Sequence, residues 1–457
     1  MGDGKGGNRN GLIFMSNLFL QHFEKDFTNE GPSWIQDIRK KGIESFANLG
    51  YPTSRQEAWK YTSVKPIAEI SFKRATPSGS SEITADKLMS LPFGILDAIR
   101  IVFVNGHYAP KLSSISALPK GVKIESLAQV LKEDPHSVEP HLTRHATYKD
   151  HPFVALNTAF IEDGAFIFLP VGTILEKPIH LLFISQPNGE ATVSYPRNLV
   201  IAQEASQAAI VESYVGWENN LYFTNAVTEI VAADSAFIDH YKLQQESQKA
   251  FHLASVAIHQ GRESNYNSHS ISLGGGLTRN EISTVLDAEG AECLLNGLYL
   301  VSDRQHVDNQ TSIDHVKPHC TSLEIYKGIL DGSAQGVFNG KILVRPDAQK
   351  TQARQTNNNL ILSNDALVNT KPLLEIYNND VKCNHGATIG RLDENQIFYL
   401  RSRGISEARA RSLLTYAFAS DIIGRMKIES LKTRLQEFIF AQLMKGQMSP
   451  KGLGGIA

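Results

Sequence analysis

The stretch Ile282–Leu300, ISTVLDAEGAECLLNGLYL, decides the fold. It reads as an apolar run, a polar corner at Glu289-Gly290, and a second apolar run. Thr311–Leu330, TSIDHVKPHCTSLEIYKGIL, repeats the plan around Lys317-Pro318. Gly340–Leu362, GKILVRPDAQKTQARQTNNNLIL, repeats it around Pro346-Asp347, and an earlier corner stands at Ala233-Asp234. The corners return about every 28–32 residues although the sequences themselves do not repeat, which is the rhythm of a solenoid. Short runs rich in Val, Ile and Leu, bounded by Gly, Pro and Asp, read as strands. A parallel β-helix satisfies both observations. Each turn stacks on the last, strands pair at about 4.8 Å, and apolar side chains fill the interior. A β-sandwich or barrel is the alternative, but those want turn signals about every 8–12 residues. The triplet Asn357-Asn358-Asn359 suits a stacked corner.

Outward from this core, the pattern turns helical on both sides. Upstream, Ile35, Ile38, Ile43 and Phe46 make a helical stripe that Gly50 and Pro52 stop. Ser54-Arg55-Gln56-Glu57 has the form of a capping box and predicts a short helix through Trp59. The dense set Arg55, Glu57, Trp59, Lys60 and Tyr61 reads as a helix start with an aromatic plug, ahead of any binding role. IRIVFVNGHY, from Ile99 to Tyr108, predicts a strand and an Asn105-Gly106 turn. The His-rich, Pro-containing segment 132–151 reads as linker or loop. Downstream, Asp393–Arg403 is helical and Gly404 fits its C-terminal cap. Ser406 starts another helix with Ala410, Leu413, Leu414, Ala417 and Phe418 as its stripe; Ile428, Leu431, Leu435, Phe438, Ile439 and Leu443 form a third. These helices either cap the open end of the solenoid or dock a partner, and the sequence leaves both open. The expected organisation is a disordered leader at 1–15, with Met15 an alternative start, a mainly helical domain at 16–150, a β-helix at 151–390 and a helical domain at 391–457.

The chain has 457 residues, 42% hydrophobic and 20% charged, which is ordinary globular composition. A net charge of −2 gives no overall pull toward nucleic acid or an anionic membrane. Three cysteines, Cys293, Cys320 and Cys383, make no disulfide framework and fit a reducing compartment. No run approaches the roughly 20 apolar residues of a membrane helix. The N-terminus lacks a signal-peptide cleavage site, and Gly6 stands where a myristoylation motif needs Ser or Thr.

Chemistry concentrates in Lys371–Gly390, KPLLEIYNNDVKCNHGATIG. Cys383 and His385 are two apart, so in a strand both project from one face. A thiol beside an imidazole suits zinc, copper, iron or sulfur transfer. A buried Cys and a satisfied His is the competing reading, and two ligands do not complete a metal site. GSAQGVFNGKI, Gly332 to Ile342, only resembles a phosphate loop: its spacing is one short, and Ile342 replaces the magnesium-binding hydroxyl residue. His306, His315, His319 and Cys320 read as polar loop and surface residues.

Pro372–Ile423, PLLEIYNNDVKCNHGATIGRLDENQIFYLRSRGISEARARSLLTYAFASDII, resembles the SufB/SufD family of iron–sulfur cluster assembly proteins. RQEAWKYT at Arg55–Thr62, VNGHY at Val104–Tyr108 and LEKPIHL around His180 match it too, so the resemblance covers nearly the whole chain. CNHGAT at Cys383–Thr388 favours the SufD branch over the SufB branch. The resemblance implies a right-handed parallel β-helix between helical domains, in a non-catalytic cytoplasmic scaffold of the SufBCD complex. It implies pairing with SufB through the β-helix and docking of the SufC ATPase on the C-terminal helices. Phe398, Leu400, Ile405, Leu413, Leu414 and Phe418 are the docking candidates. His385, and second Cys383, become candidate ligands for a transient iron or iron–sulfur cluster shared with SufB. Whether a flavin binds stays open. The competing readings are a stand-alone homodimeric scaffold without a metal role and a β-helix enzyme acting on polysaccharide.

Overall fold

The computed structural model describes residues 19, 21–24, 31–77, 83–91, 93, 96–115, 117–187, 189–217 and 219–445. The expected leader, the alternative start at Met15 and the final residues 446–457 lie outside the described residues. The chain forms a parallel β-helix of about eight turns with helices at both ends. Two sheets face each other. One runs from Lys123–Ser126 to Leu367–Ile376, the other from the hairpin at Ile99–Tyr108 to Lys382–Gly390. Alternate strands enter alternate sheets, and the pairings are parallel beyond the first turns. From strand Arg197–Ala202 onward each turn advances between 26 residues, Phe251 to Leu277, and 32 residues, Gln335 to Leu367.

The corners explain the rhythm. Ser235, Glu263, Gly290, His319 and Lys350 all take left-handed backbone conformations. Each points its N–H at a carbonyl one turn on: Ser235 to Arg262, Glu263 to Glu289, Gly290 to Pro318, His319 to Gln349 and Lys350 to Asp380. The ladder ties each solvent-facing corner to the next turn through its backbone amide. The Asn triplet departs from expectation. It lies inside the strand Gln352–Ile361, and strand alternation buries Asn357 and Asn359 while Asn358 faces outward.

The interior is a continuous column that includes Ile210, Ile238, Ile282, Tyr299, Tyr326, Phe338 and Val344, all buried. The N-terminal domain covers the outside of the first sheet, where Trp59, Phe72 and Phe153 pack on Phe223, Phe251 and Leu253. The C-terminal helices cover the outside of the second, where Ile422, Ile423, Leu431 and Leu435 pack on Tyr241, Leu243, Leu298 and Leu300. Each such side chain contributes about 1.5–3 kcal/mol by leaving water. These helices therefore lie along the flank, and among the described residues none covers the end of the solenoid.

Two local expectations are corrected and one is refined. Ser54 makes no cap; Glu57–Trp59 is a single 3-10 turn whose Glu57 carboxylate is drawn to Lys371, 2.5 Å away on the last strand of the first sheet. Ser406 is the N-cap residue of Glu407–Ile423 as expected, although its side chain makes no cap hydrogen bond. Segment 132–151 is no loose linker, because Thr143, His145 and Ala146 donate their backbone N–H groups to the buried Glu229 carboxylate. Strand Ile99–Val104 joins the second sheet beside Ile179–Ser185, while helix Pro152–Ala159 packs on Ser33–Leu49, so the chain crosses residue 150 in both directions.

Candidate functional site at the open end

The last turn consists of Leu367–Ile376 and Lys382–Gly390, and each is the outermost strand of its sheet. Among the described residues no strand pairs with their outer edges, so a row of backbone donors and acceptors faces outward. Apolar side chains stand exposed beside it: Leu367, Ile376, Tyr377 and Ile389. The N-terminal motif reaches this end through the Glu57–Lys371 ion pair.

Cys383 and His385 lie here. Cys383 registers with Ala353 and packs against the interior column, so it projects inward. Two residues on, His385 shares that face and registers with Gln355. Cys383 is half-buried and His385 exposed, because no further turn covers them. Burial pushes the Cys383 thiol above its ordinary value, which favours the protonated form in the uncovered chain. Among the described residues no group of three or more His, Cys, Asp or Glu is arranged to hold a metal ion. The pair therefore supplies part of a coordination sphere at most.

The other sequence candidates are spread apart. His306 bonds Thr62 at 3.0 Å on the outside of the first sheet. His315 is buried inside against Ser322, 2.9 Å away. His319 sits at an exposed corner and the Cys320 thiol is buried. Gly340-Lys341 falls within strand Gln335–Val344. Among the docking candidates, Phe398 is 72% exposed, whereas Leu400, Ile405, Leu413, Leu414 and Phe418 are half-buried. Phe418 packs toward the β-helix, with Lys327 Nζ 4.5 Å from its ring centroid. Tyr399 and Phe440 are exposed aromatic residues that the sequence reading missed.

The reading also missed a charged network inside the solenoid. Glu212 bonds His240 at 2.9 Å, and His240 bonds Tyr266 at 3.0 Å. Lys242 bonds His252 at 2.8 Å, and His252 pairs with Glu246 at 2.7 Å. All are buried. Burial opposes ionisation of Glu212, but His240 outweighs it and holds the carboxyl below its usual range. Burial draws the Lys242 ammonium down to about 8. Polar residues at alternate positions of IVESYV and IDHYKLQQ carried the signal, but they resemble a solvated strand face.

A parallel β-helix whose last turn carries Cys383 and His385, with helices along its flanks, is the class of fold these strands and helices define. Residues 183–418 match the SufBD core domain of the SUF iron–sulfur cluster assembly system, and residues 15–181 match the SufBD N-terminal region. The chain is 34% identical to an iron–sulfur cluster assembly SufBD family protein of Synechocystis, over 89% of this chain and 91% of that one. It is 32% identical to the iron–sulfur cluster assembly protein SufD of Escherichia coli, over 95% and 99%, and 25% identical to SufD of Bacillus subtilis, over 92% and 97%. The chain belongs to the SufBD family of iron–sulfur cluster assembly proteins and is of the SufD type. Among the described residues no helix is long and apolar enough to cross a membrane.

Proposed function

We propose that this chain is a non-catalytic scaffold subunit of a SufBCD complex. It pairs with SufB through the open β-helix end and docks SufC through its C-terminal helices, with ATP hydrolysis belonging to SufC. His385, with Cys383 second, takes part in receiving iron and building a nascent cluster at the shared seam. ATP-driven closure of two SufC subunits pulls on the helices and exposes His385. The observation that carries the reading is the last turn, whose inner face presents Cys383 and His385 beside unpaired strand edges. Two ligands leave the remaining coordination to partner thiolates. Three free cysteines support a cytoplasmic location.

The test is His385→Ala in the complex co-expressed with SufB and SufC and purified anaerobically. Iron uptake and cluster absorbance are expected to fall; unchanged values reject the role of His385. Failure to retain SufB and SufC, with only a homodimer recovered, favours the stand-alone scaffold.

A further inference from the structure

One turn beneath His385, the interior holds a polar arrangement that packing alone does not require. Gln355 and Glu324 are fully buried, and the register places Glu324, Gln355 and His385 in one column on successive turns of the second sheet. Gln355 Nε2 donates to Glu324 Oε2 at 2.6 Å. With its nitrogen on the Glu324 carboxyl, the amide leaves its oxygen, Oε1, for another partner. Gln355 Oε1 is then a buried acceptor with no partner among the described residues. A buried acceptor left unmade costs about 1–3 kcal/mol. Across the interior stands Gly340, where an added Cβ would lie 2.1 Å from Gln355 Nε2. The glycine keeps room for the amide.

We infer that Gln355, anchored by Glu324 and accommodated by Gly340, is a positioning residue for His385. Its free Oε1 accepts an N–H from the His385 imidazole when a partner covers the open end. In-register strands lie about 4.8 Å apart, which brings same-face side chains into reach. A neutral imidazole that donates from one nitrogen presents the lone pair of the other, the standard arrangement by which an outer partner orients a metal-ligating histidine. The inference rests on the reading of His385 as a ligand at the shared seam.

The probe is Co(II), titrated anaerobically into the purified complex and followed by its ligand-field absorbance. His385→Ala tests the underlying reading. If that variant keeps the wild-type band and affinity, the ligand role fails and the positioning role with it. If His385→Ala loses the band, Gln355→Leu is expected to weaken Co(II) binding about 10–100-fold and shift the band. Gln355→Glu combined with Glu324→Gln exchanges donor and acceptor, keeps the anchor and an oxygen at the same reach, and is expected to restore both. Wild-type affinity and spectrum in Gln355→Leu would overturn the positioning role alone. Should Gln355→Leu fail to assemble, Gly340→Ala displaces the amide from the opposite sheet and is expected to give the same loss; an unaltered titration there overturns the inference.

Discussion

The guanidinium carbon of Arg279 lies over the indole of Trp59, 3.7 Å from the ring centroid. Arg279 also donates to the Ala58 carbonyl and pairs with Asp308 and Glu281, while Thr62 bonds Asp308 at 2.6 Å. The run RQEAWKYT is thus a clasp that fastens the N-terminal domain to the outside of the first sheet. Trp59 is buried against Phe153. Trp59→Ala is expected to cost about 3–5 kcal/mol in urea unfolding. Arg279→Lys keeps the charge but loses the planar fork and stacking, so it too should destabilise. Wild-type midpoints in both variants would remove the clasp.

Glu324 makes stability depend on pH. Burial pushes its carboxyl up to about 7, whereas an unfolded Glu titrates near 4.3. Between these values the folded chain keeps a proton that the unfolded chain releases. Stability therefore falls as pH rises through this window and levels off above it, by about 4 kcal/mol in total. Glu324→Gln has no proton to release. Against wild type it should gain about that amount between pH 4 and pH 8. Equal pH slopes in the two proteins would contradict this.

The solenoid was legible because its corners and strands obey local rules. Glu289-Gly290, Lys317-Pro318 and Pro346-Asp347 punctuate β-rich runs, and the corner ladder uses those segments. Cys383 and His385 were legible as one face of a strand. Long-range competition was not. The capping box at Ser54 fails because Glu57 finds Lys371, 314 residues away. Asn357–Asn359 mimics a turn by composition, yet Asn359 bonds Asn357 inside the column at 2.6 Å. Glu212, His240 and Lys242 look like a wet strand face because period-two alternation marks a face without saying which medium it meets. Gln355 gave no signal, since its meaning depends on Glu324 one turn earlier and Gly340 opposite.

Arg197 and Glu229 form a wholly buried ion pair at 2.5 Å. Glu229 also accepts from Thr143, His145 and Ala146, at 2.8, 2.9 and 3.1 Å. Burial opposes its ionisation, but Arg197 and these amides hold it below the usual range. Arg197→Met strands a buried carboxylate and is expected to cost about 3–5 kcal/mol. The three amides should then exchange hydrogen faster than in wild type. Unchanged protection at Thr143, His145 and Ala146 would show that Glu229 does not hold this segment.

The proposed SufC docking needs a variant that spares the β-helix. Truncation after Gly390 strips the cover from Tyr241, Leu243, Leu298, Leu300 and Ile329. Loss of SufC after that cut would follow equally from a damaged scaffold. Phe398 offers a cleaner measurement, because it stands 72% exposed on helix Glu394–Ser402, with Tyr399 beside it at 56%. Phe398→Asp should leave the unfolding free energy within about 0.5 kcal/mol of wild type. Truncating a central aromatic anchor costs about 2 kcal/mol or more in binding, so the dissociation constant for SufC should rise at least roughly thirtyfold. Phe418→Ala is the counter-case. Its ring lies beneath Lys327, whose Nζ also pairs with Asp421 at 2.9 Å, so that variant should lose stability. Wild-type SufC affinity in Phe398→Asp, with folding intact, would exclude this residue from the docking surface.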